Sequence, residues 1–268
     1  MPQLCLNLLC LAPRYDPQAD LAAQLDAAAA AGAELVGLDS SFVKAFLRRG
    51  ARIQDLAGEL AGRGLRCYEL LYLECSPRDA AGTMAAAERL AGWAEGLGCE
   101  YVLSSTPTPV GDESAELFGR CCDLMAEAGA GLGYEFFPWA PIDRFGRAWE
   151  LIRRSGRTNT GVVLDCWHFL HGPPGEAGVL ETLPLEALAY VQFTDSKPVE
   201  PEARMREAET ARLFPGDGCL DLRGFAEPLL RRGFDGVVSI EVLSPETRAA
   251  GAREFARRCL EGARACWT

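Results

Sequence analysis

Residues 161–168 read Gly-Val-Val-Leu-Asp-Cys-Trp-His, and residues 236–242 read Gly-Val-Val-Ser-Ile-Glu-Val. Each is a short, nearly continuous apolar run with one carboxylate inside it, Asp165 or Glu241. A strand buried on both faces is apolar throughout, which is the pattern of a parallel sheet covered by helices. A charge in such a run is costly to bury alone, so each carboxylate needs a partner.

The same pattern extends outward from these two runs. Residues 133–137 place Glu135 in Gly-Tyr-Glu-Phe-Phe, and residues 188–194 place Gln192 between Val191 and Phe193. Further apolar runs at 4–11, 35–38, 65–71 and 101–103 bring the expected strands to eight. Helical periodicity falls between most of them, at 17–31, 53–61, 80–97, 114–128, 146–154, 222–231 and 246–265. Asp16 is placed to cap the first helix and Gly32 to stop it. Eight strands, most of them followed by a helix, predict an α/β protein, a closed (β/α)8 TIM barrel. The 268 residues suit one such barrel, which typically takes about 250. No linker or shift of composition divides residues 1–268, so a single domain is expected.

Hydrophobic residues make up 49% and charged residues 24%, a globular profile. The net charge of -11 repels a phosphate backbone, and the paired arginines (48–49, 153–154, 231–232, 257–258) fall in helix-like stretches that read as solvated faces. Nucleic acid is therefore not an expected partner. The 11 cysteines form no C-x-x-C pair and lie mostly among apolar residues, as free thiols do in a reducing compartment. Residues 1–11 lack a basic leader, and the apolar runs are too short to span a bilayer. A soluble, cytoplasmic protein with no membrane partner is expected.

Active sites of barrels lie at the C-terminal ends of the strands. Glu135, Asp165, Gln192 and Glu241 stand there on four consecutive strands. Any one of the carboxylates could pair with an arginine or cap a backbone amide; a shared cation would serve all three at once. Three carboxylates and an amide oxygen are hard ligands that suit one divalent ion, magnesium or manganese. His168 follows Asp165 by three residues and reads equally as a core histidine or a site residue, while His171 falls on the following loop. The stretch 195–220, the longest without a clear element, is expected to lie over the barrel mouth. It carries Pro215-Gly216-Asp217-Gly218 and two cations, Lys197 and Arg212, as candidates to meet substrate.

These residues resemble the xylose isomerase-like barrel superfamily of sugar isomerases, epimerases and polyol dehydratases. The likeness rests on the glutamate of GYEFFPW, the D-x-x-H of LDCWH, the polar residue before the aspartate in VQFTD, the PGDG loop and the last glutamate of VVSIEV. It is specific from about Gly131 to Ser244; the first half shows only the barrel rhythm. The resemblance implies that Glu135, Asp165, Gln192 and Glu241 hold the metal. It implies acid–base work for Glu135, Glu241 and His168, with His168, Arg212 and Trp139 meeting the substrate. Glutamine at 192, where many epimerases carry histidine, is similar to the 3-dehydroshikimate and inosose dehydratase branches. The third and fourth strands, with Cys-Tyr-Glu-Leu-Leu-Tyr at 67–72 and Ser-Ser-Thr at 104–106, depart from the dehydratase pattern. The function so implied is metal-dependent enolisation of a small polyhydroxylated carbonyl compound by an isomerase or epimerase. A dehydratase is the alternative, and an endonuclease-like phosphodiesterase or a binding protein stands further off.

Overall fold

In a computed structural model, which describes residues 1–12, 20–176 and 178–268, eight parallel strands close a barrel in chain order. They are β1 (Gln3–Asn7), β2 (Leu35–Asp39), β3 (Arg66–Glu74), β4 (Tyr101–Ser105), β5 (Gly131–Glu135), β6 (Thr160–Asp165), β7 (Leu188–Phe193) and β8 (Val237–Ile240). β8 returns to pair with β1, with Cys5 opposite Ser239 and Leu6 opposite Ile240.

The helices Ile53–Ala61, Ala80–Leu97 and Leu222–Arg231 have the bounds their sequence pattern gives. Side-chain caps explain the starts of two of them: Asp79 accepts from Gly82 N at 3.0 Å and Asp221 from Gly224 N at 2.9 Å.

Other elements differ from the expectation, each for a local reason. Asp16 and residues 17–19 lie outside the described residues; the first helix is seen over Leu21–Ala30, with Asp20 capping Ala23 N at 3.1 Å. The first strand stops at Asn7 because the Asn7 side chain accepts from Leu9 N at 3.0 Å and turns Leu8–Cys10 into a 3-10 helix. β2 ends on Asp39, which caps a helix the pattern did not reveal, Ser40–Leu47, through Ser41 N at 2.7 Å. The closing helix breaks into Pro245–Arg248 and Ala252–Arg264 at Gly251, whose φ of 82° is open to glycine at little cost. The stretch 195–220 is not all irregular: Arg204–Thr210 is helical.

Alternation along the strands stacks the barrel interior in layers. Tyr68, Tyr101 and Tyr190 meet edge to face or tilted toward the N-terminal end, with ring centroids 5.5–6.0 Å apart. Two residues beyond Tyr190, Ser239, Val163, Gly133 and Cys5 come Gln192, Glu241, Asp165, Glu135 and Asn7. These five form a polar layer at the C-terminal end. Among the described residues no helix is long and apolar enough to cross a membrane.

Candidate active site

Glu135 and Asp165 are the last residues of β5 and β6; Gln192 lies one residue before the end of β7; Glu241 follows β8 directly. All four are at least nine-tenths buried. Asp165 also caps the short helix Cys166–Leu170, its Oδ1 accepting from Trp167 N at 2.6 Å and His168 N at 3.1 Å. That cap turns the chain so that His168 points back over the carboxylates. Its Nε2 lies 3.3 Å from Glu135 Oε1 and 3.9 Å from Asp165 Oδ2.

The structure sends Arg212 deeper than the sequence suggests. Its guanidinium is only 2% exposed and lies among the carboxylates. Nη1 donates to Asp165 Oδ2 at 2.8 Å and lies 3.3 Å from Glu241 Oε2; Nε donates to Ala208 O at 2.7 Å. Nη2 is 3.3 Å from His168 Nε2. A guanidinium has no lone pair to offer, so His168 Nε2 accepts from it. Asn7 Nδ2 donates to Glu241 Oε1 at 3.1 Å from the other side.

These charges and their burial set the proton affinities. Burial pushes His168 down to about 4 and the Arg212 charge helps, against Asp165 and Glu241; the imidazole is neutral at pH 7. Burial pushes Glu241 up to about 7, with Glu135 and Asp165 adding to the rise and Arg212 opposing it. Burial also works to raise Asp165, but Arg212 and His168 outweigh it and hold that carboxyl below its usual range.

The donors of Glu135, Asp165 and His168 fit a divalent cation, while Glu241 lies outside that group with its Oε2 turned to Arg212. Glu135, Asp165 and His168 offer ligand atoms within 4.8 Å of one another. The Gln192 amide is fully buried, and neither its oxygen nor its nitrogen meets a hydrogen-bond partner among the described residues. A buried amide oxygen without a partner calls for a ligand. Glu135 Oε1 and the accepting Nε2 of His168 face each other at 3.3 Å, a contact that a cation or a proton would relieve.

The cluster opens into a cavity of about 220 Å³, the size for a small metabolite rather than a drug-sized molecule. Trp139 forms part of its wall, stacked on Phe137 at 5.6 Å and nearly perpendicular to the His168 ring at 5.3 Å. Tyr72, Leu103 and Leu243 complete the apolar side. Lys197 is not part of the site: it is exposed and sits 3.7 Å from Glu246. His171 stacks on Trp167 at 4.0 Å and lies outside the cluster.

Two residues escaped the sequence reading. Asn7 is one; a lone amide inside the apolar run 4–11 was the available signal. Glu69, on β3, is the other. It is fully buried in the layer beneath the cluster, accepts a short hydrogen bond from Ser239 Oγ, and is pushed by burial up to about 7. Gly37 makes room for it, since a Cβ there would lie 2.5 Å from Glu69 Oε1.

Residues 25–259 match the model of the xylose isomerase-like TIM barrel family. The chain belongs to this family. Over 148 residues it is 32% identical to the 3-dehydroshikimate dehydratase of Pseudomonas aeruginosa, a match covering 55% of this chain and 22% of the relative. Over 149 residues it is 28% identical to the inosose isomerase of Halalkalibacterium halodurans, covering 52% of this chain and 51% of the relative. The chain thus spans about a fifth of the first relative and half of the second. Among solved structures, the IOLI protein with a bound zinc atom superposes with a TM-score of 0.85 at 18% identity, covering 99% of this chain and 98% of that one. The probable 3-DHS dehydratase AsbF of Bacillus anthracis superposes at 0.81 with 14% identity, covering 98% of both chains. At these identities the superpositions speak for the fold.

Proposed function

We propose that the protein is a divalent-metal-dependent enzyme of the sugar isomerase or epimerase type, enolising a small polyhydroxylated carbonyl compound. One observation carries the reading: Glu135, Asp165, Gln192 and Glu241 stand at the same end of the barrel, and Gln192 brings an amide oxygen that meets no partner among the described residues. These four would hold the ion, with magnesium or manganese suited to the oxygen donors. A bound dication supplies Lewis acidity to the substrate carbonyl and so acidifies the proton beside it.

The chain's own residues supply the rest. Glu135 or Glu241 takes the proton alpha to the carbonyl on a carboxylate oxygen. His168, neutral at pH 7 and held by Arg212, accepts or returns a proton at Nε2. Trp139 and Phe137 offer a flat apolar wall to one face of the substrate, and Arg212 keeps Asp165 and Glu241 from repelling each other. Proton return to the opposite face gives epimerisation, and return to the neighbouring carbon gives isomerisation.

Loss of a beta hydroxyl after the same first step gives dehydration. Glutamine at position 192 and the likeness to two Pseudomonas 3-dehydroshikimate dehydratases, 32% and 30% identical over about half of this chain, favour that second reading.

The test is proton NMR of the manganese-loaded protein in deuterated water with ketoses, inososes and 3-dehydroshikimate. Deuterium entering one compound, stopped by a chelator, supports enolisation, and the product separates the two readings. Exchange that persists in full after the metal is removed would overturn the metal-dependent step.

A further inference from the structure

Arg212 owes its place to a loop, and one carboxylate outside the cavity holds that loop. Asp195, two residues beyond β7, is 2% exposed. Its Oδ1 accepts from Ser196 N at 2.8 Å and Leu220 N at 3.1 Å; its Oδ2 accepts from Gly216 N at 3.0 Å and Gly218 N at 2.9 Å. Four amides on one carboxylate are charge-assisted bonds, roughly twice as strong as neutral ones. The Asp195 backbone adds two more ties: Asp195 N donates to Leu213 O at 3.0 Å and Leu213 N to Asp195 O at 2.8 Å, an antiparallel bridge. Leu213 is the neighbour of Arg212, whose own N donates to Leu243 O at 3.2 Å. The loop packs so closely that a Cβ on Gly218 would collide with the Asp195 carboxylate and Ser196 O.

We infer that Asp195 is a positioning residue: by gathering the amides of residues 216–220 onto the end of β7, it fixes the backbone from which Arg212 reaches Asp165, Glu241 and His168. An ordinary loop aspartate would contribute to stability alone. This one ties the segment that delivers the single guanidinium found among the ligand carboxylates of the described residues, so its loss is felt as loss of Arg212.

The substitution Asp195→Asn tests this. Asparagine keeps one oxygen acceptor, but its amide nitrogen cannot accept, so two of the four loop amides lose their partner. Gly218→Ala strains the same latch from the loop side and serves where Asp195→Asn does not fold; thermal melts report folding of each variant. The metal-free readout is the His168 imidazole resonance, which is resolvable because the chain has only two histidines. In the folded latch variants this resonance moves in the direction produced by Arg212→Ala, while that of His171 stays. The second readout, which rests on the metal-dependent function proposed above, is manganese affinity. Asp195→Asn reproduces the change caused by Arg212→Ala, and the double variant agrees with Arg212→Ala alone within about twofold. A folded latch variant whose His168 resonance stays in place, or a double variant whose affinity change is the product of the two singles, overturns the inference. A wild-type protein that takes up no manganese removes the metal reading and leaves the resonance arm to decide on Asp195.

Discussion

Glu69 offers the sharpest test of the barrel's electrostatics, because its substitution by glutamine preserves size and an oxygen acceptor for Ser239 while removing the charge. The carboxyl goes from an ordinary value of 4.5 to about 7 on folding, driven by burial. Its folded form therefore binds a proton more tightly than the unfolded chain does. The sign follows: the stability this group contributes is fully present below about 4.5, declines as pH rises through the window from 4.5 to about 7, and is gone above it. A tenfold difference in proton affinity is worth about 1.4 kcal/mol, so the full decline is about 3 kcal/mol. The measurement is urea unfolding of the chelator-treated protein and of Glu69→Gln at half-unit steps from pH 4.5 to 8. The wild type should lose about 3 kcal/mol relative to the variant across that range. Glu241, whose charge adds to the rise of Glu69, titrates in both proteins, so only the part of its effect that is independent of Glu69 cancels in the difference. Two curves that stay parallel from pH 4.5 to 8 would refute the reasoning and show that Glu69 is as well stabilised ionised as neutral.

Other expectations concern the reaction and the ion. Glu241→Gln should lower turnover by about 10³-fold with the melting transition retained, and near-wild-type rates would remove Glu241 from the acid–base step. Asp165→Ala takes away a proposed ligand, the cap of the helix Cys166–Leu170 and the partner of Arg212 at once; manganese affinity measured by calorimetry should fall by at least about 100-fold. His168→Ala should cut turnover by about 10²-fold or more while the bound manganese per chain holds, and the reverse pattern would make His168 a ligand. Trp139→Ala removes a stacked, partly exposed wall; its KM should rise roughly fivefold with kcat little changed, as for the loss of about 1 kcal/mol of aromatic contact.

The placement of the candidate site was legible because burial of polar groups leaves a mark in sequence. Asp165 and Glu241 inside valine-rich runs announce a carboxylate within a sheet, and the alternation of strands and helices places it at a strand end. Helix bounds were legible where a capping aspartate and an apolar stripe agree, as in Ala80–Leu97 with Asp79 before it. Element bounds were not legible where a polar side chain or a left-handed glycine diverted the backbone: Asn7 ends β1 early, and Gly251 divides the last helix.

The sequence by itself determined that the interior holds carboxylates and an amide, and on which strands, since a charge in an apolar strand must face inward to some partner. Which partner it meets was decided only by the closed barrel. Asn7 reaches Glu241 across 234 residues of chain, Ser239 reaches Glu69 across 170, and Arg212 crosses 47 back to Asp165. Local pattern reports the cost of burying a group. The identity of the group that offsets it depends on ring closure between β1 and β8 and on the loop that Asp195 ties down, and neither is encoded in any short stretch of the chain.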